Sequence, residues 1–425
     1  MIPNSYLLRV EGVNLARFVF DTRDLNTIRG AGILLLDAAK NRVREFLEAT
    51  GAKAVMEISA GASVGLFAFE PPEGISPETI RDAVADSFRN DLQLKHSTFV
   101  VDIEVLNKDF RAASEKVLAK NRFRQYQASS ISVPETSIRF GVCQLDGVRP
   151  SNDRRLWARE KDKRQKHRSK SVVSRRRYGQ RQKQAFYREL TGLSLPLTTK
   201  FANEFEEITG PQAGFPLGNK IAIFYADGNR FGKTGSRLGL GEKQFQAWDR
   251  YLRDRRRDWL RAFLEDELLP NKNGGWLYQD QGKSLYRFET LLWGGDEVMF
   301  VMPAWKGWRF AGHFFRAAEQ WNARDARFSD HGNENPLTDQ DTPLTHTAAL
   351  IFATIMRQSI GSKIWPRSRW LNSAKGSPAK ILRDTRTRLG ASATNSSIRS
   401  WNRSTTWETI MKDPSVGEWG IVSNN

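Results

Sequence analysis

The order strand, helix, strand, strand, helix, strand occurs twice along this chain, with little local sequence identity between its two appearances. That order limits the architecture to an α+β fold of two ferredoxin-like units. In the first unit the expected strands are Ser5–Val10, Ala54–Ser59, Ser63–Phe69 and Thr98–Leu106. The first helix covers Leu25–Ala49 and ends near Gly51. The second opens at Ser76-Pro77, where serine caps the free N–H groups and proline takes the first helical position. Thr98–Leu106 alternates as a half-buried strand does, and a helix over Phe110–Gln127 leads out. In the second unit the strands are Lys220–Ala226, Leu285–Trp293, Val298–Pro303 and Thr345–Thr354. Its helices are Glu242–Leu269, stopped by Pro270, and Trp308–Ala326, with a helical piece near Arg369–Lys375.

The segment between the units is basic. Residues 149–190 hold 16 Lys and Arg against 4 Asp and Glu, a net of +12 out of +18 for the whole chain. The expected division is therefore 1–142 for the first unit, 143–215 for a basic linker with a helix near Arg175–Leu190, and 216–385 for the second unit. Residues 386–425, rich in Ser, Thr, Asn and Arg, read as a loosely packed tail. At 425 residues each unit can bury its own core. The apolar runs near 33–39 and 347–356 are too short to cross a bilayer, and no charged-then-apolar leader opens the chain. Membrane attachment is not expected. The single cysteine, Cys143, rules out a disulfide scaffold and a multi-cysteine zinc site and fits a reducing, cytoplasmic setting. Any bound metal is expected to be a hard, oxygen-ligated ion.

Two segments of the second unit carry chemistry. In Ile221–Gly235 a strand ends at Asp227, and Gly228 allows a sharp departure of the backbone. In Leu291–Pro303 the turn Gly294-Gly295 is followed at once by Asp296 and Glu297. In this topology the third strand runs antiparallel beside the first, so Asp227 and Asp296 are expected to face each other at one sheet edge. Carboxylates converging there repel unless cations sit between them. Two Mg²⁺ or Mn²⁺ ions would relieve the repulsion and create a place for a triphosphate, with Asp227, Gly228, Asp296 and Glu297 around them. Each turn alone is a common Asp-Gly or Gly-Gly hairpin; the pair, in this order on these strands, is the specific signal.

These motifs resemble the large palm-containing subunit of type III CRISPR effector complexes, in particular its type III-B branch, which belongs with the GGDEF diguanylate cyclases and polymerase palms. Asp227-Gly228-Asn229-Arg230-Phe231-Gly232-Lys233 is similar to the family's D-G-D-R-M-G-K segment, and Gly294-Gly295-Asp296-Glu297 to its G-G-D-D hairpin. Phe20-Asp21-Thr22-Arg23-Asp24-Leu25 and Gly30-Ala31-Gly32-Ile33-Leu34-Leu35 resemble the opening of its first palm. Cys143-Gln144-Leu145-Asp146-Gly147-Val148-Arg149-Pro150 looks like its zinc motif with the second cysteine replaced by Asp146, so no zinc is expected. Ala374-Lys375 resembles the A-K after the last palm strand.

The resemblance implies two palms in a pseudo-dimer, with the second catalytic. Asp227, Asp296 and Glu297 would hold the metals. Gly228, Asn229, Arg230, Lys233, Gly294, Gly295 and Lys375 would meet the nucleotide. The first palm, whose hairpin Ile58-Ser59-Ala60-Gly61-Ala62 is uncharged and which shows no matching carboxylates, would wall the site. The implied activity is condensation of ATP into cyclic or linear oligoadenylate signals in antiviral defence, with companion effector subunits as partners. DNA cleavage by an N-terminal histidine-aspartate nuclease domain is not expected, and Asn229 and Glu297 depart from the family's aspartates. A catalytically weak palm scaffolding a guide-RNA ribonucleoprotein is the alternative.

The basic stretch supplies Arg154, Arg155, Arg164, Lys166, Arg168, Lys170, Arg175, Arg176 and Arg177, interleaved with Trp157, Tyr178, Phe186 and Tyr187. Two readings stay open: binding of an RNA backbone with aromatics free to stack, or a solvated insertion that holds polyanions without selectivity. The arginines at 253, 255, 256, 257 and 261 alternate with Asp249, Asp254 and Asp258 and read mainly as surface i,i+4 pairs.

Overall fold

The computed structural model describes residues 5–127, 141–151, 168–196, 198–209, 217–280, 283–354 and 419–423. In the first unit, β1 (Tyr6–Val13) is followed by α1 (Leu15–Val19), α2 (Leu25–Asp37) and α3 (Val43–Ala49). Asp24 caps α2 by accepting from the Thr27 N–H, and a π-helical turn over Ala38–Arg42 joins α2 to α3. Then come β2 (Lys53–Gly61), β3 (Val64–Glu70), α4 (Pro77–Asn90, capped by Ser76), β4 (Thr98–Val105) and α5 (Phe110–Gln127). The sheet runs in the spatial order β2-β3-β1-β4, all antiparallel. Alternation along β1 sends Leu8 and Val10 toward α2 and α4, while Leu7 joins Phe110 and Val117 of α5 on the opposite face.

The middle of the chain holds α6 (Lys170–Thr191) and α7 (Phe205–Thr209). The second unit begins with β5 (Lys220–Gly228), α8 (Phe231–Leu238) and α9 (Glu242–Phe263), the last continuing through a π-helical turn to Leu268. Next are the hairpin β6 (Leu277–Asp280) and β7 (Lys283–Tyr286), then β8 (Glu289–Trp293), β9 (Glu297–Pro303) and α10 (Gly307–Ala318). A small hairpin, β10 (Arg327–Asp330) and β11 (Asn333–Pro336), precedes β12 (His346–Thr354). The sheet order is β13-β12-β5-β9-β8, where β13 (Trp419–Ser423) comes from the C-terminal tail.

Several expectations are corrected. The expected strand over 285–293 breaks into β7 and β8, which belong to different sheets. The helix expected to reach Ala326 ends at Ala318. The tail is not wholly loose, because residues 419–423 pair with β12 as an edge strand. The helical piece near Arg369–Lys375 lies outside the described residues. The middle is more than a linker: α6 is a 22-residue helix capped by Ser169 and stopped by Gly192 in the left-handed conformation.

Helix α6 docks on α2 at two glycines. A Cβ built on Gly30 would lie 1.8 Å from the Arg175 carbonyl oxygen, and one on Gly179 would lie 2.3 Å from that of Asn26. One residue pair further along, a Cβ on Gly32 would lie 2.5 Å from the Leu291 carbonyl oxygen of β8. Helix α2 is thus clamped between α6 and the second unit. Ile221, Leu291 and Val301 of the second unit share one core with Leu8, Leu34 and Phe67 of the first.

A polar knot lies in the same place. Arg29 of α2 pairs with Glu289 of β8, both fully buried, and also donates to Asn26 Oδ1 (2.8 Å) and the Ala202 carbonyl (2.8 Å). Tyr187 of α6 donates to Glu289 (3.3 Å) and accepts from the Thr290 N–H (3.0 Å). Burial lowers the Arg29 pKa to about 10, which leaves it charged at neutral pH.

Gly30→Ala is expected to lower the melting temperature, because overpacking at a closed site costs on the order of 1–3 kcal/mol or more. Gly232→Ala, where a Cβ meets nothing within 4 Å, is the control and should be neutral or mildly stabilising. Glu289→Ala strands a buried guanidinium and should cost about 3–5 kcal/mol. Denaturant unfolding of the three variants checks these outcomes.

Candidate active site at the β5–β9 edge

Strand β5 splits its side chains between two cores. Ala222, Phe224 and Ala226 enter an aromatic core with Trp259, Phe263, Phe300 and Phe310 under α9 and α10. Ile221, Ile223, Tyr225 and Asp227 point to the other face, toward the first unit. The strand register sets Asp227 directly opposite Glu297, the first residue of β9, and opposite Thr347 of β12. The Gly228 N–H donates to the Asp296 carbonyl at 3.1 Å. Asp227 therefore faces Glu297 with its side chain, while Asp296 meets the end of β5 through its main chain.

Tyr225 shows how closely the charges gather. Burial, followed by the charges of Glu297, Asp227 and Asp296, pushes its phenol well above the usual range. Tyr225 shares a face with Asp227 at the i, i+2 spacing of a strand, and sequence reading passed over it. A tyrosine two residues before a candidate ligand on the same strand was the available signal.

Arg256 of α9 was also read differently from the sequence. It is buried, sits 5.8 Å over the Trp293 ring, and donates to the carbonyls of Gly294 and Gly295. It holds the Gly-Gly turn rather than making a surface pair. Its neighbours do pair on the surface: Arg255 with Asp258, Arg257 with Asp254 and Asp258, and Arg261 with Glu265.

The glycines divide into two kinds. A Cβ on Gly228 would lie 2.5 Å from the Phe231 ring, and one on Gly294 would lie 2.8 Å from the Glu297 carbonyl oxygen and 3.1 Å from Ala62. Both are required by the protein's own packing. Of these three, Gly295 faces open space and leaves room for an outside group. Gly61 of the first unit approaches this turn, since its Cβ would lie 3.3 Å from Gly295 Cα. The hairpin of the first unit thus abuts the carboxylate turn of the second.

Asn229 is turned inward. Its amide donates to Thr345 Oγ1 (3.0 Å) and its carbonyl accepts from Thr347 Oγ1 (2.8 Å), which pins the turn after β5 to β12. Arg230 takes the left-handed conformation (φ 62°) at the start of α8; it and Lys233 are exposed beside Asp227. Lys375 lies outside the described residues.

The first unit does carry a carboxylate at the matching corner, contrary to expectation. Glu11 opposes Val64, the first residue of β3, as Asp227 opposes Glu297. It is bound by Arg9 (2.9 Å) and Arg122 (3.0 Å), and its opposite number is apolar, so the corner is closed by ion pairs.

Among the described residues no group of three or more His, Cys, Asp or Glu is gathered as a ready cage for a metal ion. The pair Asp227 and Glu297 still fits Mg²⁺ or Mn²⁺, because Mg²⁺ commonly takes one or two carboxylates and completes its shell with water and substrate phosphates. In the Cys143–Pro150 segment, Asp146 is buried. It accepts from the Val148 and Arg149 N–H groups (2.9 Å each) and from Ser169 Oγ (3.0 Å), so hydrogen bonds tie the loop.

The expected RNA-binding residues are dispersed. Arg154, Arg155, Arg164 and Lys166 lie outside the described residues. Arg168 and Arg175 are buried, against expectation; Arg175 donates to Asp21 and the Phe18 carbonyl, because Asp21 needs a partner where α6 meets the first unit. Arg176 pairs with Asp24. Lys170 and Arg177 are exposed. Tyr178, Phe186 and Tyr187 are buried and unavailable for stacking.

His346 opposes Gly228 on β12 and is enclosed by Phe231, Phe314 and Trp321. Burial, then the nearby Arg256 charge, lowers its pKa from 6.5 to about 3. Between these values the unfolded chain binds the extra proton, so this contribution to stability is full above about pH 6.5 and is lost as pH falls toward 3. His346→Phe, which keeps the ring packing, should show a shallower fall in melting temperature over that window. A wild-type slope in the variant would contradict this account.

No family model and no curated protein matches the chain. Among solved structures, it is similar to the apo Csm1-Csm4 cassette (TM-score 0.48, 11% identity, covering 82% of this chain and 50% of that one). It is also similar to that cassette in complex with AMPPNP (TM-score 0.47, 12% identity, 82% and 50% covered) and with cA4 (TM-score 0.47, 12% identity, 82% and 50% covered). The chain spans about half the length of the chains it matches.

Proposed function

We propose that this chain is a palm-type nucleotidyltransferase that joins ATP units by attack of a 3′-hydroxyl, with loss of its proton, on an α-phosphate, breaking the α–β phosphoanhydride bond and releasing pyrophosphate, to give cyclic or linear oligoadenylates. The single observation that carries the reading is the β5–β9 register, which opposes Asp227 and Glu297 on the sheet face turned to the first unit. Asp296 joins them through the Gly-Gly turn that Arg256 holds. When bound, a divalent ion would neutralise charge and ease ionisation of the attacking hydroxyl. Asp227 and Glu297 would hold it, with Tyr225 on the same face of β5 beside them. Lys233 and Arg230, exposed just beyond Asp227, would meet the triphosphate, and the open face of Gly295 would admit it. The first unit's hairpin at Gly61-Ala62 would wall the site, as the inactive half of a palm pair. Adenine as the base, a type III-B-like effector as the setting, and companion subunits as partners rest on the sequence resemblance in the two palm motifs.

A second reading is a catalytically silent palm subunit. One observation favours it: Asn229 spends both ends of its side chain on Thr345 and Thr347, leaving a carboxylate fewer at the corner.

Incubation of the purified protein with ATP and Mg²⁺ or Mn²⁺, with and without bound RNA, separates the two, with products read by mass spectrometry. The proposal expects oligoadenylate that vanishes in Asp227→Ala and Asp296→Ala and falls at least about tenfold in Glu297→Gln, the loss of one charged contact to a reacting group. No product under any of these conditions would favour the silent subunit.

A further inference from the structure

Helix α6 carries seven Lys and Arg against one glutamate, and the fold sorts them. Arg175, Arg176 and Lys183 turn inward to Asp21, Asp24 and the carbonyls of residues 201 and 202. Lys170, Arg177, Arg181 and Arg188 are exposed. At about 100° per residue these four fall within roughly 20° of one line along the helix. The line is about 27 Å long at a rise of 1.5 Å per residue. Its flanks are Ser174 and Gln184; the helix's one acid, Glu189, lies about a quarter turn away. Lys170, Arg181 and Arg188 make no ion pair with a described carboxylate. Helix α9 is the contrast: it has a similar number of cations, but three of its four exposed arginines, Arg255, Arg257 and Arg261, are matched by nearby acids, and only Arg250 makes no ion pair with a described carboxylate.

We infer that this row is a docking face for the phosphate backbone of a nucleic-acid strand. A straight line of cations fits a regularly charged polyanion. The face has no exposed apolar side chain to enter a bilayer, since the apolar side of α6 is spent on α2. The aromatic residues of α6 are buried, so bases are not stacked and the contact is independent of sequence. The inference goes beyond the carboxylate chemistry and does not depend on it.

The test is fluorescence anisotropy with a labelled mixed-sequence single-stranded RNA, its DNA counterpart, a homopolymer and anionic phospholipid vesicles, over a range of salt. The probe protein carries Lys170→Gln, Arg177→Gln, Arg181→Gln and Arg188→Gln together; all four sites are exposed, so folding should be kept, as melting will show. The expected result is a loss of at least about tenfold in strand affinity near 0.1 M salt, with the log–log salt slope reduced by roughly 3, at about 0.7 per phosphate. The homopolymer and mixed strand should behave alike. A second variant, Arg255→Gln with Arg257→Gln and Arg261→Gln on α9, should bind nearly as the wild type does. The inference is overturned if the α6 variant keeps wild-type affinity and slope, if the wild type binds no strand, or if binding is confined to vesicles. Asp296→Ala should bind the strand normally, which keeps this result separate from that of the nucleotidyl-transfer assay.

Discussion

The buried pair between Arg29 and Glu289 fixes how the two units meet. Taking both charges out of water is costly, and their attraction does little more than offset that cost. What the pair supplies is registry: a charge on α2 can be satisfied only where β8 presents its glutamate. The surrounding groups narrow its position further, because Tyr187, Asn26 and the Ala202 carbonyl hydrogen-bond the pair, while the buried Arg29 Nε has no partner. The glycines at 30, 32 and 179 act with it, letting α2 approach α6 and β8 at backbone distance. Polar specificity and close packing select the same arrangement.

That arrangement determines what the second sheet can do. One face is committed to an aromatic core beneath α9 and α10. The other is turned to the first unit, and its apolar contacts are concentrated toward Ile221 and Val301. The Asp227 end is left to polar groups. Helix α9 spans both sides of this corner, since Asp249 accepts from Ser59 of the first hairpin (2.9 Å) while Arg256 binds the Gly-Gly turn of the second. The carboxylate edge is therefore positioned from two directions by a single rigid helix.

Much of this was legible in the sequence where the relevant physics is local. Strand alternation and the Ser76-Pro77 and Pro270 punctuation located most elements. Topology then placed Asp227 against the Gly-Gly-Asp-Glu turn. What could not be read depends on partners far along the chain. Arg175 looked like a surface cation because Asp21, its partner, lies more than 150 residues away. Glu289 looked like an ordinary strand residue for the same reason. The cation-rich composition of α6 hid a helix with a fully buried side, and Asn229 looked available to a ligand until β12 supplied two threonines. Glu11, at the end of the first strand, did not read as a match for Asp227, because the equivalence appears only in the strand register.

The central claim is that Asp227 and Glu297 form the ion- and triphosphate-binding edge of a palm. Crystals grown with Mn²⁺ and a non-hydrolysable ATP analogue test it most directly, through anomalous scattering at the manganese edge. The account predicts a manganese peak between the Asp227 and Glu297 carboxylates, in contact with the triphosphate. A nucleotide bound with its metal elsewhere, while this edge stays free of manganese, would contradict it.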